Sequence, residues 1–244
     1  MSTQSYVAED ARIGDDIDIG PGNWIGPGVT ILSGTSIGKG NAFLPGVMVG
    51  LPSRQRLQRC DRTCPSEEPR VEIGDDNIFF EYCSIHAPMQ EVTSIGDGNS
   101  IGARCHISHD CRLGDSVIIA ANCSLGGYAC VQTKANLGLG VDVHPRRVVG
   151  EYAMCGAGAV IIRHIYPGAK VAGVPARYID VNEIGLARAG YDALTIKVWR
   201  DAIGSALSAA SPKMRPSLDR FTEAINRMNV RVAVLPSPGS PEDG

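Results

Sequence analysis

Aliphatic residues recur along this chain every six positions. Stepping from Val7 gives Ile13, Ile19, Ile25, Ile31, Ile37, Phe43 and Val49, and the count resumes at Ile73, Phe79 and Ile85. After a shift of register it runs Ile95, Ile101, Ile107, Leu113, Ile119, Leu125, Val131, Leu137, Val143, Val149, Cys155, Ile161 and Pro167. Such a period fits neither an amphipathic helix, at about 3.6, nor one alternating strand, at about 2. It predicts an all-β solenoid in which each hexad forms a short strand and a turn. One side chain per hexad points inward, and three hexads close a triangular coil. Glycine follows the inward residue 14 times, which accounts for 14 of the 29 glycines and reads as relief for turn conformations closed to other residues.

Only 5% of the residues are aromatic, as a narrow interior filled by Ile, Val and Leu requires. The repeat is interrupted twice, at about 51–70 and 87–94, and extruded loops are common places for binding groups. It fades after Val171-Ala-Gly-Val-Pro-Ala-Arg177. From Val181 the pattern turns helical, with Leu194, Val198, Ile203 and Leu207 on one face and Leu218, Phe221, Ile225 and Met228 on another. Pro212 separates these two helices, and Pro216 or Ser217 lies near the start of the second. The chain thus divides into a solenoid over 1–180, a helical region over 181–230 and a Pro/Gly/Ser-rich tail over 231–244, expected to be disordered.

With 43% hydrophobic residues and a net charge of -3, the chain reads as neither disordered nor a dedicated nucleic-acid binder. No apolar run is long enough to span a membrane. The first residues lack the pattern of a signal peptide. Eight scattered cysteines read as free thiols used as small core residues, in keeping with a cytoplasmic protein.

The densest chemistry lies in Cys105-His-Ile-Ser-His-Asp-Cys111. A surface imidazole at His109 suits proton abstraction near neutral pH, and Asp110 would orient it. Adjacent side chains diverge in a strand, so the pair needs a bend. Left alone, the spacing fits two surface histidines on a turn equally well. The two His and the Asp have no further ligand or supporting shell around them in the sequence, so no metal is expected. Cys105 and Cys111 flank the histidines with no feature that would lower a thiol pKa.

Ile107-Ser-His-Asp-Cys111, with Arg70-Val-Glu-Ile-Gly-Asp-Asp-Asn77 and Glu81-Tyr-Cys-Ser-Ile-His86 upstream, resembles the UDP-N-acetylglucosamine acyltransferases. The resemblance runs from Val7 to about Met228. It implies a left-handed parallel β-helix of hexapeptide repeats with a small C-terminal α-helical region. The handedness comes from the resemblance alone, since parallel crossovers are otherwise right-handed. It further implies a homotrimer with sites between subunits, an acyl-carrier-protein or CoA thioester as co-substrate, no cofactor, and a nucleotide-linked sugar as acceptor. By the same match His109 is the general base, Asp110 its partner and Gly127 a backbone donor to the oxyanion. His86, His106, Tyr128, His144, Asn182, Arg188, Arg56 and Gln58 fall at acceptor-side positions. Ala157 falls at the acyl groove, and Arg177, in a Gly-x-Pro-Ala-Arg turn like that of acetyl-CoA-dependent hexapeptide acetyltransferases, falls near the donor.

The departures are specific. Arg56 stands where the family carries an acid, and Gln58 where it carries a lysine. Tyr128 replaces a histidine, Pro145 a glutamine, and Ala189 the second arginine of a pair. The base is kept while the acceptor-reading set is altered, which points to acyl transfer with a changed acceptor. An acetyl-CoA-dependent sugar acetyltransferase and a catalytically silent scaffold or ligand-binding protein are the alternatives.

Overall fold

Because the inward residue of each hexad falls six after the last, strands three hexads apart stack in register. The computed structural model describes residues 4–53, 71–204 and 213–227. Arg56, Gln58, Cys60, Cys64, Leu207, Pro212, Met228 and the 231–244 tail lie outside the described residues. The coil has three parallel faces. One begins with Tyr6–Val7 and Trp24–Ile25 and continues through Ile118–Ile119 to Met154–Cys155. The second runs from Arg12–Ile13 through His106–Ile107 to Val160–Ile161, and the third from Ile17–Ile19 through Arg112–Leu113 to Val148–Val149. Partners such as Ile101 and Ile119, or Ile107 and Leu125, sit directly above one another.

Inside, Ile25, Ile31, Ile85, Ile101, Ile107, Ile119, Leu125 and Leu137 are fully buried. Two rings do fit. Phe43 and Phe79 occupy successive coils of one face and stack at 4.9 Å and 5°, an arrangement a triangular core admits when rings lie parallel. A second inward column carries Asn23, Asn41, Asn77 and Asn99. Each of Asn23, Asn41 and Asn77 accepts through its side-chain oxygen from the amide of the next, at 2.7–2.9 Å, and Asn99 accepts from Val117. This ladder satisfies polar groups that would otherwise be orphaned in a dry interior. Cys83, Cys105 and Cys123 fill the matching slot on the next edge, their thiols donating to turn carbonyls at 3.0–3.1 Å.

Several sequence expectations are corrected. Val7 and Ile13 are 46% and 37% exposed because the first coil has nothing beneath it. The clock breaks after Ile161. Val149 bridges to Ile165 and Cys155 pairs with Val171, so this last coil is two residues shorter and Pro167 is off the inward column. The segment Arg177–Val181 is a strand, antiparallel to Ala169–Ala172. Most glycines that follow an inward aliphatic serve close approach rather than turn geometry. A Cβ on Gly102 would lie 2.5 Å from the Ala121 amide nitrogen of the next coil. The left-handed slot lies two residues further on, where Gly28, Gly40 and Gly140 alternate with Asp110, Tyr128 and Arg146.

Three helices follow: α1 (Glu183–Arg188), α2 (Ala193–Gly204) and α3 (Arg215–Arg227). In α2 the buried face is Ile196, Trp199, Ala202 and Ile203, while Leu194 is 72% exposed, so the expected stripe is rotated. Trp199 covers the coil end and donates to the Pro167 carbonyl at 2.8 Å. Phe221 and Ile225 of α3 pack on Val148. The buried Glu151 accepts from Ser217 Oγ at 2.6 Å and from both Arg220 donors.

Candidate active site

The bend that the His109–Asp110 pair needs is supplied by the coil itself. Inward Ile107 is followed by a turn, and Asp110 takes the left-handed slot at φ 59°. That conformation is costly for most residues but tolerated by Asp. It brings Asp110 Oδ2 to 2.7 Å from His109 Nδ1. The next coil repeats the geometry with Gly127 above His109 and Tyr128 above Asp110, and the one after with Pro145 and Arg146. Gly127 leaves the space for the imidazole, since a Cβ there would lie 2.6 Å from His109 Cε1. The Gly127 N–H has no acceptor among the described residues.

Asp110 has no side-chain exposure. Burial alone would raise its pKa, but the bond to His109 and the amides of Glu91, Met89 and Gln90 outweigh that and hold it at about 2. Its own N–H donates to Thr93 Oγ1 at 2.8 Å. An ionised carboxylate only accepts, so Nδ1 of His109 donates the proton of this bond, which in the neutral imidazole leaves the lone pair on Nε2.

A cleft of about 480 Å³ gathers His86, His106, Ser108, His109, Gly126, Gly127, Tyr128, Pro145 and Arg146. His106 bonds Ser84 Oγ at 2.9 Å and Ser108 Oγ at 3.0 Å. It meets His86 edge-on at 4.6 Å. Burial, and then the other histidines, lower the pKa of both, that of His86 to about 4, so both are neutral near pH 7. Tyr128 stands edge-on to His109 at 5.3 Å, bonds Gln90 Oε1 at 2.9 Å, and lies under the Arg146 guanidinium at 4.3 Å.

Other expected residues are elsewhere in the chain. His144 is exposed, bonds the Pro145 carbonyl, and does not line this cleft, because Pro145 fills the space above Gly126. Asn182 and Arg188 line a separate cavity of about 1020 Å³ with Lys134, Tyr152, Lys170 and α1. Asn182 caps α1 and donates to the Tyr152 carbonyl at 2.8 Å. Ala157 and Arg177 are exposed on the coil and the final strand. A third cavity, of about 740 Å³, lies behind Tyr128, between Glu91, Arg112, Gln132 and α3.

Among the described residues no cluster of three His, Cys, Asp or Glu is placed to hold a metal. Burial pushes the Cys111 thiol up to about 12, which removes it as a nucleophile near pH 7. The described cysteines are free, and Cys83, Cys105, Cys111, Cys123 and Cys155 are buried. Sequence reasoning missed Thr93, Gln90 and the loop amides. Backbone donors carry no sequence signal, and the Gln90–Tyr128 contact joins residues 38 apart across two coils.

The coil, its turn-borne dyad and its helical cap define a hexapeptide-repeat transferase. The family model "Bacterial transferase hexapeptide (six repeats)" matches residues 93–127, and the fold class is a left-handed parallel β-helix with a small helical region. LpxA from Acinetobacter baumannii superposes with a TM-score of 0.68 at 23% identity, over 96% of this chain and 98% of that one. The Francisella novicida UDP-N-acetylglucosamine acyltransferase gives 0.68 at 24%, over 98% and 94%. In sequence, the acyl-[acyl-carrier-protein]–UDP-N-acetylglucosamine O-acyltransferase of Syntrophobacter fumaroxidans is 37% identical over 74% of this chain and 69% of its own length. That of Alkalilimnicola ehrlichii is 40% identical over 53% of this chain, which spans about half, 52%, of that relative's length. The chain belongs to the UDP-N-acetylglucosamine O-acyltransferase family.

Proposed function

We propose that this chain transfers an acyl group from an acyl-carrier-protein or CoA thioester to a hydroxyl or amine of a nucleotide-linked sugar. The observation that carries the reading is the buried, ionised Asp110 holding His109 with Nε2 open to a cleft above a free Gly127 N–H. His109 Nε2 takes the proton from the acceptor O–H or N–H, and the freed lone pair attacks the thioester carbonyl. The oxyanion is stabilised by the Gly127 N–H. Collapse breaks the C–S bond, and the departing thiolate takes the proton back from His109. No covalent enzyme intermediate and no cofactor takes part.

The relatives' names give acyl carrier protein as donor and UDP-N-acetylglucosamine as acceptor. The uncharged Tyr128 beside His109, and Arg56 and Gln58 in the sequence, favour an altered acceptor here. A homotrimer completes the site, since Asn182 and Arg188 lie in a cavity apart from His109 and a neighbour's copy would bring them to it. The face beginning at Tyr6–Val7 supports this assembly. Its outward side chains include Tyr6, Trp24, Ile78 and Ile118, all exposed, while the third face presents Asp18, Glu72 and Arg112. The whole reaction belongs to the cytoplasm, where acyl thioesters are made.

The test is a mass-spectrometric assay crossing acetyl-CoA and several acyl-carrier-protein thioesters with a panel of nucleotide sugars. Transfer is expected with at least one pair and is lost, by about 1000-fold or more, in a folded His109→Ala variant. Near-normal turnover by that variant overturns the mechanism.

A further inference from the structure

The second interruption of the coil does not open toward the cleft. It folds back onto Asp110. The amides of Met89, Gln90 and Glu91 donate to the carboxylate at 3.0, 3.0 and 2.7 Å, and Thr93, where the coil resumes, accepts from the Asp110 N–H. Two side-chain locks hold the loop in place. Gln90 accepts from the Tyr128 hydroxyl, and Glu91 pairs with Arg112 at 2.7 Å. Both anchors stand on neighbouring strands and turns of the rigid coil. Removing the loop would take three backbone donors from a buried carboxylate, a costly state for a charge.

We propose that residues 89–93 are a positioning clasp for the His109–Asp110 dyad, with Thr93 and the loop amides as positioning elements that keep the carboxylate charged and aimed at Nδ1. The clasp rests on the general-base reading but has readouts of its own. Tyr128 belongs to it in a chain-specific way: the phenol reaches Gln90 from the coil above while its ring edge-packs His109, so one residue couples loop and base. The ionisable groups facing the dyad are His86 and His106 from the cleft, Tyr128 and Arg146 from the following coils, Glu91 and Arg112 at the loop, Cys111 beside Asp110, and Arg220, Glu223 and Arg227 from α3 across the cavity behind it. Of these, Tyr128 also interacts with the Asp110 carboxylate through its hydroxyl, beside the three amides.

The chemistry predicts a division of labour. Groups that contact the acceptor change KM, whereas groups that hold the dyad change kcat with KM little altered. Glu91→Pro deletes the shortest amide donor, and Thr93→Val deletes the hydroxyl at nearly constant shape, with Thr93→Ser as the conservative control. In each of the first two, kcat is expected to fall about ten- to a hundredfold with KM within about twofold, while Thr93→Ser restores turnover. In the folded full-length chain, ¹⁵N spectra should report loss of the single Nδ1–H tautomer of His109. The ¹³C carboxyl titration of Asp110 in Glu91→Pro should move to higher pH than in the parent. Unchanged kcat, tautomer and titration in both variants overturn the clasp. If His109→Ala stays active, the base reading falls instead, and the two spectroscopic measurements still decide whether the loop positions the dyad.

Discussion

At the scale of single residues, the coil works by slots. The position two after each inward residue holds His109, then Gly127, then Pro145 on successive turns, and the next position holds Asp110, Tyr128 and Arg146. A function-bearing side chain therefore needs a permissive neighbour 18 residues on, and Gly127 is that neighbour. Its backbone is not in the left-handed region, so alanine is conformationally acceptable and only the imidazole is in the way. Gly127→Ala should leave the melting temperature nearly unchanged and lower kcat about 100-fold by displacing His109 from Asp110. Steady-state kinetics beside a thermal melt checks this, and full activity would mean that the ring has somewhere else to go. The pairing of His109 with Asp110 was legible through the family resemblance rather than from the spacing alone. Its support was not, because the donors to Asp110 are main-chain amides.

At the scale of elements, α3 sits over a buried histidine. His164 accepts from the Val148 N–H at 3.1 Å, has no exposure, and faces Phe221 edge-on at 6.4 Å. Its Nε2 has no partner among the described residues. Burial, then the charge of Arg147, lowers its pKa to about 4. The unfolded chain binds a proton here near pH 6.5 and the folded chain does not, so stability falls as pH drops from about 6.5 to about 4. At pH 5 the loss is about 2 kcal/mol, and His86 adds in the same direction. His164→Gln keeps a neutral acceptor and should flatten this dependence. Thermal melts from pH 7 to pH 5 measure it, and equal slopes in both proteins would remove His164 as the cause. The helices themselves were only half legible. Ile196 and Trp199, not Leu194, face the coil, since α2 is oriented by Trp199 capping the coil end rather than by its own apolar stripe.

At the scale of the whole molecule, the repeat was the clearest signal in the sequence, because one period sets strand, turn and core together. It failed where ends and partners intervene. The first coil is exposed for want of a coil beneath it, and the last coil is shortened where the hairpin of Ala169–Ala172 and Arg177–Val181 begins. The proposed assembly follows the same physics: a face with protruding Trp24, Ile78 and Ile118 is unfavourable in water, and the trimer proposed above would bury it against copies of itself. Ile118→Arg places a charge on that face and should convert the proposed trimer to monomer. Light scattering after size exclusion reads the mass, and transfer activity should fall in parallel because the two cavities part company.

The asparagine column has one more consequence. Asn41 and Asn77 are 36 residues apart in sequence yet make the same single step as Asn23 and Asn41, which are 18 apart. The column therefore keeps its step although twice as many residues separate Asn41 from Asn77. Spacing in sequence and spacing in space are thereby uncoupled: the column constrains how rungs stack and is indifferent to how many residues join one rung to the next.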